Sequence, residues 1–446
     1  MARRYKGGDV MSHIKTWFVK TLPDLMRSTK KWMAGALQDP RRAPIFAGAL
    51  VALTSLFQVL APFNTLAFLL VLISMLVVGK SAMSKWVKLG LAVLVTIVVI
   101  PVAGKQNGAL TYLCVQMFIN IALALGLNLV VGFAGLLDLG YIAFFAGGAY
   151  VYAIFGSRQA LAFMPESLQH LFPFGGWWFW VAIPIAIFVA AFLGLALGLP
   201  VLRLRGDYLA IVTLGFGEII AVLAKNLDHP INLTNGAGGI VGITPPSLFG
   251  YKLDTTLSFY FIGMAIAILT ALAMYRLERS RTGRAWAAMR EDEVAARAMG
   301  INLTKYKLMA FMAGAAFAGA MGMLFAVKQN FVSPDSFSFL ESIGILAMVI
   351  LGGLGSLQGA VVGAVAVTVL KLLILKDLAD FLSMTVKLPP AFNIPQYQPL
   401  IFGLILIVMM IYRQQGLLPG RRPTEDIALL EQSKQKKTTT GTSVGA

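Results

Sequence analysis

Three ionisable residues stand inside long apolar stretches of this chain: Asp138, Glu218 and Lys371. A charge in such surroundings is costly, and it persists where it pairs, lines a polar path or meets a solute. Glu218 follows Gly215 and Gly217 on a helical pattern. It therefore lines a polar path, bonds a neighbouring helix, or sits near a helix end within reach of water. Two glycine-rich interruptions carry a second kind of chemistry. One reads Gly132-Phe-Ala-Gly135-Leu-Leu-Asp138-Leu-Gly140, the other Gly352-Gly353-Leu-Gly355-Ser356-Leu-Gln358-Gly359. A break of this kind frees backbone N–H and C=O groups that hydrocarbon cannot satisfy, so it survives only packed in protein or facing water. The two breaks resemble each other loosely, as halves of an internal repeat would, and matched breaks in two halves mark a solute path. Close helix packing by small residues is the competing account. Asn128, in a tight small-residue context, is suited to bond a broken backbone.

Other chemistries find no residues to run them. His13, His170 and His229 lie far apart, without ligand-like spacing, so neither a metal nor another cofactor is expected. The single cysteine, Cys114, cannot form a disulfide within the chain. Gly79-Lys80-Ser81 is only a fragment of a phosphate-cradling loop, because Ser74 stands where its first glycine belongs. No nucleophile–base pair is visible, and the chain does not read as an enzyme.

The elements that must position these residues are membrane helices. Of 446 residues, 58% are hydrophobic and 13% charged, with a mean hydropathy of +0.78. A soluble domain of this length cannot hide so much apolar surface, whereas lipid solvates it. Spanning runs of about 20 residues are read at Ala43–Ala61, Asn64–Val78, Trp86–Ala103, Ala109–Val131, Tyr141–Phe155, Trp177–Leu199, Tyr208–Ala224, Thr256–Tyr275 and Tyr306–Val327. Ile343–Leu351, Gly359–Leu375 and Leu400–Tyr412 complete the set, and two of the runs are too short to cross alone. The expected fold is all-α and polytopic, with about twelve transmembrane segments that include broken or re-entrant helices. The net charge of +17 follows from lysines and arginines in the tails and between apolar runs. That is the pattern of cytoplasmic loops, and it argues against nucleic-acid binding. Lys80, Lys85 and Lys88, then Arg203 and Arg205, then Arg276, Arg279, Arg281 and Arg284 mark cytoplasmic loops. The segments Gly156–Gly176, Lys225–Asp254 and Lys328–Leu340 face outward, and both termini face the cytoplasm. No cleavable signal peptide is expected, since the first apolar run begins near Pro44.

Residues 1–42 form a basic tail, in which Trp17–Trp32 reads as an amphipathic helix or a loose segment. Residues 43–105 form an N-terminal transmembrane extension, without an intramembrane charge or glycine-rich break, and are expected to lie away from any solute path. Residues 106–415 form the core, and 416–446 a polar cytoplasmic tail that includes Arg421 and Arg422.

Between two membrane helices lies the loop Glu278–Asn302, ERSRTGRAWAAMREDEVAARAMGIN. It reads as one short helix. Gly283 precedes it, Gly300 caps its end, and Trp286, Met289, Val294 and Met299 are its apolar positions. Arg290 and Arg297 bracket Glu291, Asp292 and Glu293. Such a stripe in a cytoplasmic loop docks into a partner or lies on lipid. The loop resembles the coupling helix of the branched-chain amino acid ABC permease family. Residues 124–135, with Asn128, Gly132 and Gly135, are similar to that family too. So are residues 205–218, with Glu218, and the run Gly352-Gly353-Leu-Gly355-Ser356-Leu-Gln358-Gly359. At Asp138 and Tyr141 the chain departs from the family, which more often has a small polar residue and a histidine there.

The resemblance spans roughly Ala109–Arg413 and is to the larger permease subunit, the one with an N-terminal extension. It implies uptake of leucine, isoleucine or valine, or of other amino acids, amides or urea. It also implies partners in the bacterial inner membrane and beside it: a second homologous permease, two cytoplasmic ATP-binding subunits and a periplasmic substrate-binding protein. Arg284, Trp286, Met289, Arg290, Glu291, Asp292, Glu293, Val294 and Gly300 would then couple to the ATPases. Asn128, Gly132, Gly135, Asp138, Glu218, Gly352, Gly353 and Gly355 would lie along the translocation path. The rival from the residues alone is an ion-coupled transporter, which would need more buried carboxylates or histidines and no docking helix.

Overall fold

The computed structural model describes residues 39, 43–61, 64–202, 204, 206–377, 398–412 and 416–418. Most of both tails, with Trp17–Trp32, and Arg203, Arg205, Arg413, Arg421 and Arg422 lie outside the described residues. The protein is an all-α polytopic membrane protein. Among the described residues nine helices are long and apolar enough to span a membrane, and three shorter apolar helices accompany them. Together they coincide with the twelve apolar runs of the sequence. The chain divides into two compact units, residues 1–111 and 112–446.

The first unit contains α1 (Ala43–Leu60), α2 (Thr65–Lys80), α3 (Lys85–Leu94) and α4 (Ile100–Gln106). Asn64 and Ser84 cap α2 and α3 by accepting from Leu66 N and Val87 N. A wide π turn, Val95–Val99, joins α3 to α4. Pro101, the second residue of α4, has no N–H to continue the regular ladder, which accounts for the wider turn. Ala43, Ala47 and Val51 of α1 pack with Val71, Val78, Val95 and Val99. Ile45, Leu53, Leu66 and Trp86 stay exposed, as lipid-facing side chains do.

The second unit begins within α5 (Gly108–Leu127), which continues as a π-helical segment through Asn128–Phe133. There follow α6 (Ile142–Phe155), α7 (Trp178–Val201), α8 (Asp207–Asn226) and α9 (Thr256–Glu278). Two short helices, α10 (Arg281–Glu291) and α11 (Glu293–Ala298), lead to α12 (Leu303–Gln329). After it come α13 (Phe339–Gly352), α14 (Leu357–Val369) and α15 (Gln398–Tyr412). Helix α12 is the axis of the unit and packs on α6 and α7 through small residues. A Cβ on Gly319 would stand 2.5 Å from Ala190 Cβ, and one on Gly194 would stand 2.7 Å from Phe311 O. Backbones that approach this closely gain dispersion contact in lipid, where the hydrophobic effect supplies no drive. Helix α6 is too short to cross alone, and the irregular residues 134–140 precede it.

The run Ile343–Leu351 gains length in the structure. A 3₁₀ turn at Pro334–Phe337 leads into α13, and the two form a 19-residue span. The glycine-rich loop after Asn235 is tied to its surroundings by backbone and side-chain bonds. Its strand Ile240–Val241 pairs antiparallel with Phe331–Val332, and Tyr152 Oη donates to Thr244 O at 2.6 Å. Lys225 and Asp335 pair at 2.7 Å near the same end.

Candidate functional site

The loop between α9 and α12 is built from polar caps. Ser280 caps α10 by accepting from Gly283 N at 3.2 Å. Asp292 takes extended backbone (φ −156°), ends α10 and opens α11, accepting from Val294 N at 2.7 Å and Ala295 N at 3.1 Å. The loop is therefore two helices, not the single one its pattern suggests. A short acidic side chain that takes orphan N–H groups favours such a break. Gly283 lies inside α10, where a Cβ would collide with the Leu277 and Glu278 carbonyls. Gly300, at φ +83°, follows the last turn as expected.

The apolar positions of the loop are divided. Trp286 and Met289 are 1% and 3% exposed, and Trp286 Nε1 donates to Tyr306 O at 2.8 Å. These two residues seat the loop on its own chain. Val294 and Met299 are 66% and 83% exposed, and Arg284, Arg290, Glu291 and Asp292 are exposed with them. The apolar side chains left exposed in the loop therefore lie at its α11 end. Glu293 pairs with Lys307 at 2.7 Å, and the lysine side chain is only 5% exposed. Sequence reasoning missed Lys307, because it stands at the start of an apolar run and resembles a headgroup anchor.

The two glycine-rich breaks meet beside this loop. Asn128 Oδ1 accepts from Gly355 N at 2.9 Å, and its Nδ2 donates to Ser356 O at 3.2 Å. Arg290 Nη1 donates to Gly132 O at 2.5 Å. A Cβ on Gly132 would strike the Asn128 carboxamide. Gly135, Gly353 and Gly355 have φ of +72°, +123° and +74°, conformations that side chains oppose. Leu417 N and Leu418 N donate to Leu351 O and Gly352 O, so residues 416–418 satisfy the carbonyls at the second break. Gly352 and Gly363 are packing glycines: a Cβ on either would collide with the Gly359 or Met348 carbonyl.

Asp138 is 1% exposed and accepts from Gly140 N at 2.9 Å. Gly140 lies against the Thr213 carbonyl, and Thr213 Oγ1 accepts from Leu139 N at 3.0 Å. Tyr141 is fully buried and donates to Gly314 O at 2.8 Å. Ser342, which drew no notice in the sequence, accepts from Ile142 N at 3.2 Å. These contacts fix the irregular stretch before α6 in place. Glu218 stands apart from them, exposed in the middle of α8. Lys371 pairs with Glu341 at 3.0 Å.

A polar chain was also missed. Lys328 Nζ donates to Gln116 Oε1 at 2.6 Å and lies 3.7 Å from the centre of the Tyr112 ring. Gln116 donates on to Asn120, and Asn120 to Thr368. The signal was present, since residues 112, 116 and 120 share one helical face. Among the described residues no cluster of three metal-binding side chains occurs.

A family model described as the branched-chain amino acid transport system / permease component matches residues 109–410. The chain belongs to this family. The permease protein LivM of the Escherichia coli K12 high-affinity branched-chain amino acid transport system is 42% identical over 328 residues, 68% of this chain and 69% of the relative. LivM of Salmonella typhimurium gives the same identity and coverage. LivH of Escherichia coli K12, another permease protein named for the same kind of system, is 27% identical over 211 residues, 45% of this chain and 62% of that protein. No solved structure matches. The family match starts at residue 109, near the division between the two compact units after Thr111.

Proposed function

We propose that this permease-family chain is the larger membrane subunit of an ATP-driven importer that brings leucine, isoleucine or valine across a bacterial inner membrane. Identity of 42% to two LivM proteins over 328 residues carries this reading. A second, homologous permease completes the pore, and the likeness to LivH supports its being of that type. Two cytoplasmic ATP-binding subunits dock on the loop 278–302, and a periplasmic binding protein delivers the solute. ATP hydrolysis resides on those partners. The N- and C-termini face the cytoplasm, and residues 43–105 stand outside the solute path.

The buried seat of Trp286 and the exposure of Val294 and Met299 favour docking at the α11 end of the loop. The breaks that meet at Asn128 and Arg290 form the inner end of the path. The test is uptake of radiolabelled leucine into proteoliposomes that hold the whole complex and its binding protein. Uptake is expected to need ATP and to be competed by isoleucine and valine. Uptake driven by an ion gradient without ATP overturns the reading, and preference for an amide or urea overturns the substrate.

A further inference from the structure

Arg290 stands where three parts of the chain converge. Its Nη1 donates to the Gly132 carbonyl at the end of the first break. The same nitrogen lies so near Gly355 that a Cβ there would stand 2.5 Å from it. Its stem covers Gly135, where a Cβ would stand 3.2 Å from Arg290 Cγ. One side chain of the loop therefore touches both glycine-rich breaks, which are also joined to each other through Asn128.

The contacts follow from ordinary chemistry. The Gly132 carbonyl belongs to the last turn of a long helix, where carbonyls lack intrahelical donors and the dipole is negative. A guanidinium is a suitable cap, because its planar fork reaches acceptors that a point charge cannot span. Glycine at 135 and 355 leaves room for it.

We propose that Arg290 is the positioning residue that carries movement of the loop into the two breaks. This rests on the importer reading given above. Arg290 lies one helical turn after Trp286, on the same face of α10. Trp286 is buried and fixed to the Tyr306 carbonyl, so it serves as the pivot. A partner that pulls on exposed Val294 and Met299 tilts the loop about that pivot and moves the guanidinium. The Gly132 carbonyl then loses its donor, and Gly355 loses its neighbour. The breaks loosen together, because Asn128 joins them. A purely structural cap would behave differently: its loss would lower stability and leave coupling intact.

The test compares Arg290→Met and Arg290→Lys in the whole reconstituted complex, with ATP hydrolysed per leucine taken up as the readout. Arg290→Met removes the charge-assisted bond, and the ratio is expected to rise roughly tenfold, the scale of losing one such bond. Arg290→Lys keeps the charge but loses the fork, and an intermediate ratio is expected. Gel filtration of each complex reports assembly. The inference is overturned if the ratio in both variants stays within about twofold of wild type, a change too small for a lost charge-assisted bond. It is also overturned if neither variant assembles, since the residue is then structural. A wild-type complex without ATP-dependent uptake overturns the importer reading instead.

Discussion

The side-chain amide of Asn128 is satisfied at both ends by one short piece of backbone 227 residues further on, accepting from Gly355 N at 2.9 Å and donating to Ser356 O at 3.2 Å. An amide is the side chain suited to this, because it offers a donor and an acceptor side by side. Asn128→Asp keeps the acceptor and replaces the donor with a second acceptor facing a carbonyl. That substitution is expected to lower the melting temperature of the purified complex, with a cost of about 1–3 kcal/mol for the unsatisfied buried group. Asn128→Leu loses both bonds and is expected to cost at least as much. Unchanged melting in both variants would show that the two breaks are held by other contacts.

The division of the loop's apolar residues predicts opposite outcomes for two substitutions. Val294→Asp alters an exposed position and is expected to leave the subunit folded while ATPase subunits no longer co-purify. Trp286→Glu places a charge at a site that is 1% exposed and removes the donor to Tyr306 O. It is expected to destabilise the subunit itself, since an unpaired buried charge is strongly unfavourable. Circular dichroism of the isolated subunit and pull-down with the ATPase subunits separate the two effects.

This division shows where sequence reading reached and where it stopped. All twelve apolar runs correspond to helices, because a run of apolar residues in lipid has few structures besides a helix available to it. The loop was also legible as a helical insert closed by Gly300, whereas its polar caps at Ser280 and Asp292 were not. What could not be read was the side of the loop that Trp286 faces, since a four-residue spacing fixes a face and not its neighbour. The Asn128–Gly355 contact was half legible. The residue was recognised as a backbone clamp, but its partner lies in the other break, and pairing across such a separation leaves no local pattern. Lys307 escaped because a lysine at the start of a span ordinarily reaches for headgroups, whereas here it turns inward to Glu293.

The glycines in and beside the two breaks split into two groups with different expected phenotypes. Gly352 and Gly363 pack α13 against α14 so closely that any side chain collides with backbone. Gly352→Leu and Gly363→Leu are expected to abolish assembly, because backbone cannot yield as a side chain does. Gly135 is exposed, and a Cβ there would first meet the flexible stem of Arg290, at 3.2 Å from its Cγ. Gly135→Ala is strained at φ +72° by about 1–2 kcal/mol and is expected to assemble with impaired uptake. Gel filtration followed by uptake assays decides each case, and a failure of Gly135→Ala to assemble would remove the distinction.

Glu218 offers the sharpest question about what surrounds α8. The helix runs from Asp207 to Asn226, so the carboxylate stands about 12 Å from the nearer end at 1.5 Å per residue. That is too deep for a glutamate to reach the headgroups. Its side chain is exposed on the surface of this chain, next to exposed Ile219 and Val222. A carboxylate held at that depth against lipid is unfavourable by about 2.5–3.5 kcal/mol on insertion scales, so the face must meet either water in the path or a second protein. Glu218→Gln and Glu218→Leu are expected to leave the melting of the isolated subunit within about 0.5 kcal/mol of wild type, as exposed substitutions do. In the whole complex Glu218→Leu is expected to cut uptake roughly tenfold, the scale of one lost charge-assisted contact. If the complex still forms with its second permease, the residue lines the path. If co-purification of the second permease is lost, it lies in the subunit interface. Normal assembly together with normal uptake in Glu218→Leu would mean that the face is simply lipid-exposed and the charge has no role there.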